Sequence, residues 1–432
     1  MVRHWRSTIL GLMLACAAGA RAAPPPLPAP PVAMTAAQER QRVMDLLHIA
    51  ALRPAVTPAG ANYDEAKVAA YALPDPLTGD DGKKVATPEE WWTARRAELI
   101  AAFDKDIYGR LPDAPGVTWT AVKTANATEA GVPVIVKTLS GRVSNNGYPF
   151  VTVDIAMTLA LPAKAKKPVP LVMVMDSGGD SGASWQKLVL AKGWGYAILD
   201  PATVQPDDGG ALTRGIIGLV DKGQPPAPGD WGVLRAWAWG ASRAMDDFES
   251  DRAVDSTHVA IAGHGVFGAA ALVTMAYDPR FAVGFISSSG KSAGSPMRRD
   301  FGEGIENLAS VDAYQRMAGD FLRYAGPLGA KDLPVDAHEL IALAAPRPIF
   351  IATGTVKDDG WNDPRGAFLA EVAAGPVYAL IGRKPLGTDK FPPVGKALTA
   401  GDLAFRQAGD GKSATANWPS FVAFAARYLN KK

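Results

Sequence analysis

The stretch Val259–Ala271 reads Val-Ala-Ile-Ala-Gly-His-Gly-Val-Phe-Gly-Ala-Ala-Ala. A short apolar run enters Gly263, a tight turn follows, and a small-residue helix begins. This order is the setting in which a Gly-x-Ser-x-Gly turn lifts a serine nucleophile above a sheet. Small residues flank such a turn because strand and helix come very close together. The stretch therefore constrains the architecture strongly. It constrains the chemistry just as strongly, because Gly265 stands at the tip, where the nucleophile belongs. Glycine has no side-chain atom that can attack a carbonyl.

The rest of the chain agrees with a sheet of this kind. Strand-like runs at Val117–Thr124, Val132–Leu139 and Phe150–Leu161 open it, and two of them alternate as antiparallel strands do. Continuously apolar, β-branched runs then recur at Pro170–Met175, Tyr196–Leu199, Val259–Ala262, Phe281–Ile286, Ile349–Thr353 and Val377–Ile381. Such runs suit strands buried on both faces. Helical patterns separate or follow them at Trp185–Ala191, Trp231–Phe248, Gly268–Tyr277, Ala313–Tyr324, Pro364–Val372 and Pro419–Leu429. The expected fold class is α/β, an α/β-hydrolase fold with a mostly parallel central sheet and helices on both faces.

Three pieces precede or make up that domain. Residues 1–22 fit a secretory signal: Arg3, His4 and Arg6, then apolar Thr8–Ala18, then the small-x-small site Ala20-Arg21-Ala22. Residues 23–33 form a Pro/Ala-rich tether. Residues 34–432 are expected to be one domain with an N-terminal helical extension. In that extension Thr35 with Gln38 caps a helix to about Leu52, carrying Val43, Leu46, Leu47 and Ala50 on one face. Thr87, Pro88 and Glu90 start a second helix, with Trp92, Leu99, Phe103 and Ile107 at helical spacing. The protein is thus expected to be exported, periplasmic or extracellular, with no membrane partner once the signal is removed.

Composition excludes several chemistries. The formal net charge is +2 with no basic stripe, which argues against a nucleic-acid partner. Lys164–Lys167 and Arg298-Arg299 are taken as solvated surface. The single cysteine, Cys16, lies in the signal, so the mature chain has no disulfide, thiol nucleophile or cysteine metal site. No two histidines share a metal-ligand spacing, and neither a metal nor a cofactor is called for.

In this fold the acid and then the histidine follow the nucleophile in sequence. Asp358 and Asp359, after the Ile349–Thr353 run, supply the acid position. The histidine should precede the last helix, but no histidine follows His338. The loop there carries Asp410, and an ordinary aspartate, with a pKa near ~4, is a poor base at neutral pH. One other string, Gly290-Lys291-Ser292-Ala293-Gly294, matches Gly-x-Ser-x-Gly by letter and makes Ser292 an alternative nucleophile. A carboxylate-only hydrolase using Asp358, Asp359, Asp410 and Glu303 is a third possibility.

Several segments together resemble the glucuronoyl esterase family of carbohydrate esterases. They include Leu73–Leu77, Ile107-Tyr108-Gly109-Arg110, Asp230–Ala244, Arg298–Glu303, Leu333–His338, Ala345–Pro348 and Trp361-Asn362-Asp363-Pro364. The resemblance implies a protein acting on the ester between xylan glucuronic acid and lignin alcohols, without a cofactor. Its partner would be a glucuronoxylan-type polysaccharide or lignin–carbohydrate ester. The family elbow is similar to Gly-His-Ser-Arg-x-Gly-Lys. By that match Gly265 replaces the serine, Val266 the oxyanion arginine and Ala269 the sugar-contacting lysine. The family histidine falls on Asp410 and a sugar-contacting tryptophan on Arg316. The resemblance also implies an early acid position at Ser288, a surviving late acid at Asp358 or Asp359, and a pocket role for Glu303. The expected function is an inactive homologue that binds a carbohydrate or protein ligand. The alternative is an active carboxylic-ester hydrolase with a relocated nucleophile such as Ser292.

Overall fold

Nine strands hydrogen-bond into one sheet in the order β1-β2-β3-β5-β4-β6-β7-β8-β9. They are β1 (Val117–Glu129), β2 (Val132–Val143), β3 (Asp154–Pro162), β4 (Val169–Met175), β5 (Gly195–Leu199), β6 (Val254–His264), β7 (Val283–Ser287), β8 (Ile349–Thr353) and β9 (Leu403–Gln407). The pairs β1–β2, β2–β3 and β3–β5 are antiparallel, and every later pair is parallel. The computed structural model describes Met1 and residues 28–178, 184–409 and 413–430. The signal and the start of the tether lie outside them, as does Asp410.

The parallel strands are apolar throughout because helices cover both faces. On one face the helices Ser184–Leu190 and Ser413–Leu429 bury Trp418, Phe421 and Val422 against Phe285 and Phe350. The rings of Phe285 and Phe421 stack with centroids 4.6 Å apart. On the other face Val233–Ser250, Val266–Tyr277, Ala337–Leu343 and Pro364–Leu380 belong to the larger core. The two crossovers around β4 leave the C-terminal ends of β6, β7, β8 and β9 side by side. In open α/β sheets the ligand crevice lies at such ends.

Several local expectations are corrected. Val377–Ile381 is no strand, because the helix Pro364–Leu380 runs through Pro376 and buries Val377 and Tyr378 completely. A short apolar run does not by itself tell strand from buried helix. The strand at that edge is Leu403–Gln407, which the sequence reading missed. Ala313–Tyr324 is not one helix but the short turns Tyr314–Arg316, Gly319–Phe321 and Leu322–Ala325. Ala318 and Asp320 donate their N–H groups to the carbonyls of Ile107 and Pro228, so tertiary bonds replace helical ones.

The third strand begins at Asp154 rather than Phe150, and Phe150 is exposed. The first helix has its Thr35–Gln38 capping box but stops at Leu46, because His48 adopts φ 56° and turns the chain inward at Ile49. Its buried face is Glu39, Val43 and Met44, and Leu46 is exposed. In the Thr87-capped helix a π turn over Trp91–Arg95 shifts the register by one residue. Trp91, not Trp92, is therefore buried in line with Leu99 and Phe103. The described end of the tether is laid on the body: Val32 bonds Gly223 and Thr213, and Ala29 accepts from the Tyr148 hydroxyl.

Candidate functional site

The turn between β6 and the helix Val266–Tyr277 forms the centre of the site. Gly265 sits at its tip with φ 58° and ψ −128°, a conformation L side chains rarely adopt. A Cβ added there would meet nothing within 4 Å. The neighbouring glycine is different: a Cβ at Gly263 would lie 2.2 Å from the Phe267 carbonyl oxygen. The elbow thus needs its flanking glycine for close approach, whereas the tip has open room for a side chain that the sequence does not supply. Val266, half-buried, begins the helix, and Ala269 is fully buried in it.

The elbow is tied to the end of β7. The Gly265 N–H donates to the Ser287 carbonyl at 2.9 Å, and His264 Nδ1 lies 3.1 Å from Ser287 Oγ. Ser288 follows with φ 45°, its N–H bonded to Ala352 of β8. Its hydroxyl donates to Asp359 Oδ2 at 2.6 Å. Asp359 Oδ2 also accepts the Gly354 N–H, and Oδ1 accepts from Asn362 Nδ2 at 2.7 Å. The two acid positions drawn from the resemblance are therefore hydrogen-bonded neighbours. The structure separates the two aspartates: Asp359 turns inward to Ser288, while Asp358 is exposed and accepts from the Thr355 hydroxyl.

Glu303 is buried and accepts the Lys291 N–H at 2.8 Å. Burial pushes its carboxyl above the usual range, and the Lys291 N–H and the charges of Lys291 and Arg316 pull it back. Arg316 thus lies within electrostatic reach of Glu303, and its guanidinium pairs with Asp207 at 2.7 Å. Asp207 also accepts from Gln315, and nothing in the sequence singled out either residue. Asn362 was visible only as part of Trp361-Asn362-Asp363-Pro364.

Ser292 closes the buried turn Gly290–Ser292, and its carbonyl accepts from the Tyr108 hydroxyl. No hydrogen bond joins the Ser292 hydroxyl to a histidine or carboxylate among the described residues. Arg298 and Arg299 are not the solvated surface residues the sequence suggests but structural ones. Arg298 pairs with Asp336, and Arg299, 4% exposed, bonds Asp363 and Glu65. His338 is fully buried with Nε2 2.7 Å from the Pro74 carbonyl, and His258 bonds Asp255. Among the described residues, no three Asp, Glu, His or Cys side chains gather to hold a metal ion.

A family model described as "Glucuronyl esterase, fungi" matches residues 143–382, more than half of the chain. The chain belongs to the CE15 glucuronoyl esterase family. A CE15 glucuronoyl esterase structure from Teredinibacter turnerae is 39% identical, with a TM-score of 0.87 over 91% of this chain and 99% of that one. A glucuronoyl esterase from Solibacter usitatus is 30% identical, with a TM-score of 0.76 over 84% and 99%. A carbohydrate esterase of an unknown prokaryotic organism is 30% identical over 86% of this chain and 93% of its own length. The α/β-hydrolase architecture expected from the elbow is the architecture of these glucuronoyl esterases.

Proposed function

We propose that this CE15 protein is an exported, non-hydrolytic homologue whose cleft binds a glucuronoyl-ester-bearing saccharide. One observation carries the reading: Gly265 occupies the strained tip of the elbow and offers no nucleophile. The absence of any histidine after His338 adds to it. In a well-characterised serine hydrolase, loss of the triad serine or histidine costs about 10⁶-fold. With valine and alanine at positions 266 and 269, the arginine and lysine that the family resemblance implies for oxyanion and sugar are missing as well.

The ligand class follows from relatives such as the 4-O-methyl-glucuronoyl methylesterase of Wolfiporia cocos, 25% identical over 72% of this chain. Asp359, Ser288, Glu303 and Arg316 supply polar groups of the kind that suit a saccharide. The alternative, hydrolysis through Ser292, is disfavoured because, among the described residues, no base is hydrogen-bonded to its hydroxyl, which lies in a buried turn. Titration with a xylo-oligosaccharide carrying a 4-O-methyl-glucuronoyl methyl ester tests the reading. Saturable binding with the ester recovered intact is expected. Absence of binding, or recovery of the free acid, overturns it.

A further inference from the structure

We propose that Tyr63, from the connector of residues 54–86 between the first two α-helices, is a platform on which a pyranose ring of the bound saccharide stacks; this rests on the reading that the cleft binds a saccharide. The connector is clamped on both sides of the ring. Gly302 donates its N–H to the Asn62 carbonyl at 2.8 Å, and Asn62 Nδ2 donates to the Asp300 carbonyl at 2.8 Å. Two residues on, Glu65 pairs with the buried Arg299. The segment so gripped, 299–303, carries Glu303.

The Tyr63 ring meets Phe301 edge to face, with centroids 6.0 Å apart at 85°. It also lies on the backbone of Gly360: a Cβ there would be 3.0 Å from Tyr63 Cδ1 and 3.2 Å from Cε1. Gly360 directly follows Asp359, which faces Ser288 at the end of β7. The ring is thereby placed beside the acid loop.

Phe301, its edge-to-face neighbour, is fully buried. Tyr63 is 40% exposed although hydrogen bonds and an ion pair already hold its segment. Its hydroxyl makes no hydrogen bond among the described residues. A tyrosine fixed in this way offers a broad contact surface with little rotamer entropy left to lose. The C–H face of a pyranose is apolar, and aromatic walls with a few placed polar groups characterise sites for small ligands.

The test is calorimetric titration of the wild type, Tyr63→Phe, Tyr63→Leu and Tyr63→Ala with the methyl-esterified glucuronoyl xylo-oligosaccharide, with an unfolding midpoint for each. The ring-retaining Tyr63→Phe is expected to bind like the wild type. Tyr63→Leu and Tyr63→Ala are expected to bind about tenfold more weakly, with midpoints close to the wild type for Leu, which keeps apolar bulk over Gly360. Equal binding by all four proteins overturns the platform and leaves the cleft reading standing. Equal weakening in Tyr63→Phe and Tyr63→Ala overturns stacking in favour of the hydroxyl. Absence of binding by the wild type overturns the cleft reading, and the platform with it.

Discussion

Restoring a serine at the elbow separates a vacant tip from a collapsed one. In Gly265→Ser the new Cβ meets nothing within 4 Å, so no neighbour has to move. The remaining cost is holding an L residue at φ 58°, about 1–3 kcal/mol. Replacing glycine also stiffens the unfolded chain, which offsets ~0.4–1 kcal/mol. The net cost is at most about 2.5 kcal/mol. With an unfolding entropy of roughly 2 cal/mol/K per residue, about 400 residues give ~0.8 kcal/mol/K, so the midpoint falls by no more than about 3 °C. Gly263→Ser is the contrast. Its Cβ would sit 2.2 Å from the Phe267 oxygen and 2.4 Å from its carbonyl carbon, so backbone must shift. A loss on the order of 4 kcal/mol or more is expected there. Thermal unfolding by circular dichroism reads both. Equal destabilisation of the two variants would refute the claim that the tip has kept open room for a nucleophile.

Gly265→Ser alone should release no benzyl alcohol from a benzyl glucuronate ester, whereas Gly265→Ser with Asp410→His should release it above that background; equal rates would refute the assignment of the histidine position to Asp410. Asp359→Ala should lower stability by about 2 kcal/mol, since Ser288, the Gly354 N–H and Asn362 all lose their partner, while Asp358→Ala should change it by less than about 0.5 kcal/mol; denaturant midpoints compare them. Asp221 has its carboxyl pushed up to about 7, by burial first and then by the charge of Asp230. The unfolded carboxyl gives up its proton near pH ~4 while the folded one holds it until about 7, so stability falls as pH rises across that window. Asp221→Asn should therefore gain on the wild type at pH 8 and not at pH 4, as paired thermal melts will show.

The elbow was legible because it combines three independent signals: an apolar β-branched strand, glycines spaced for close approach, and a helix of small residues. The strands β4 to β8 were legible for the same reason, since burial on both faces leaves uninterrupted apolar runs. Val377–Ile381 failed because Gly375-Pro376 imitates a helix end, yet the run's burial keeps the helix going. Ala313–Tyr324 failed as one helix because carbonyls of Ile107 and Pro228, more than 80 positions away, take the N–H groups a helix would use. Within the site, the sequence singled out Gly265 at the tip of the turn and a late acid position at Asp358 or Asp359, without choosing between the two carboxylates. Only the turn capped by Thr355 decides which carboxylate faces Ser288. Asp207 and Tyr63 carry no local pattern, because their importance comes from where distant segments place them.

The most direct measurement is turnover by the purified protein at micromolar concentration, with a benzyl glucuronate ester and a simple acetyl ester, beside Ser292→Ala. The account predicts release at the buffer rate for both proteins and both esters. Release by the wild type that Ser292→Ala abolishes would contradict it and make Ser292 the nucleophile.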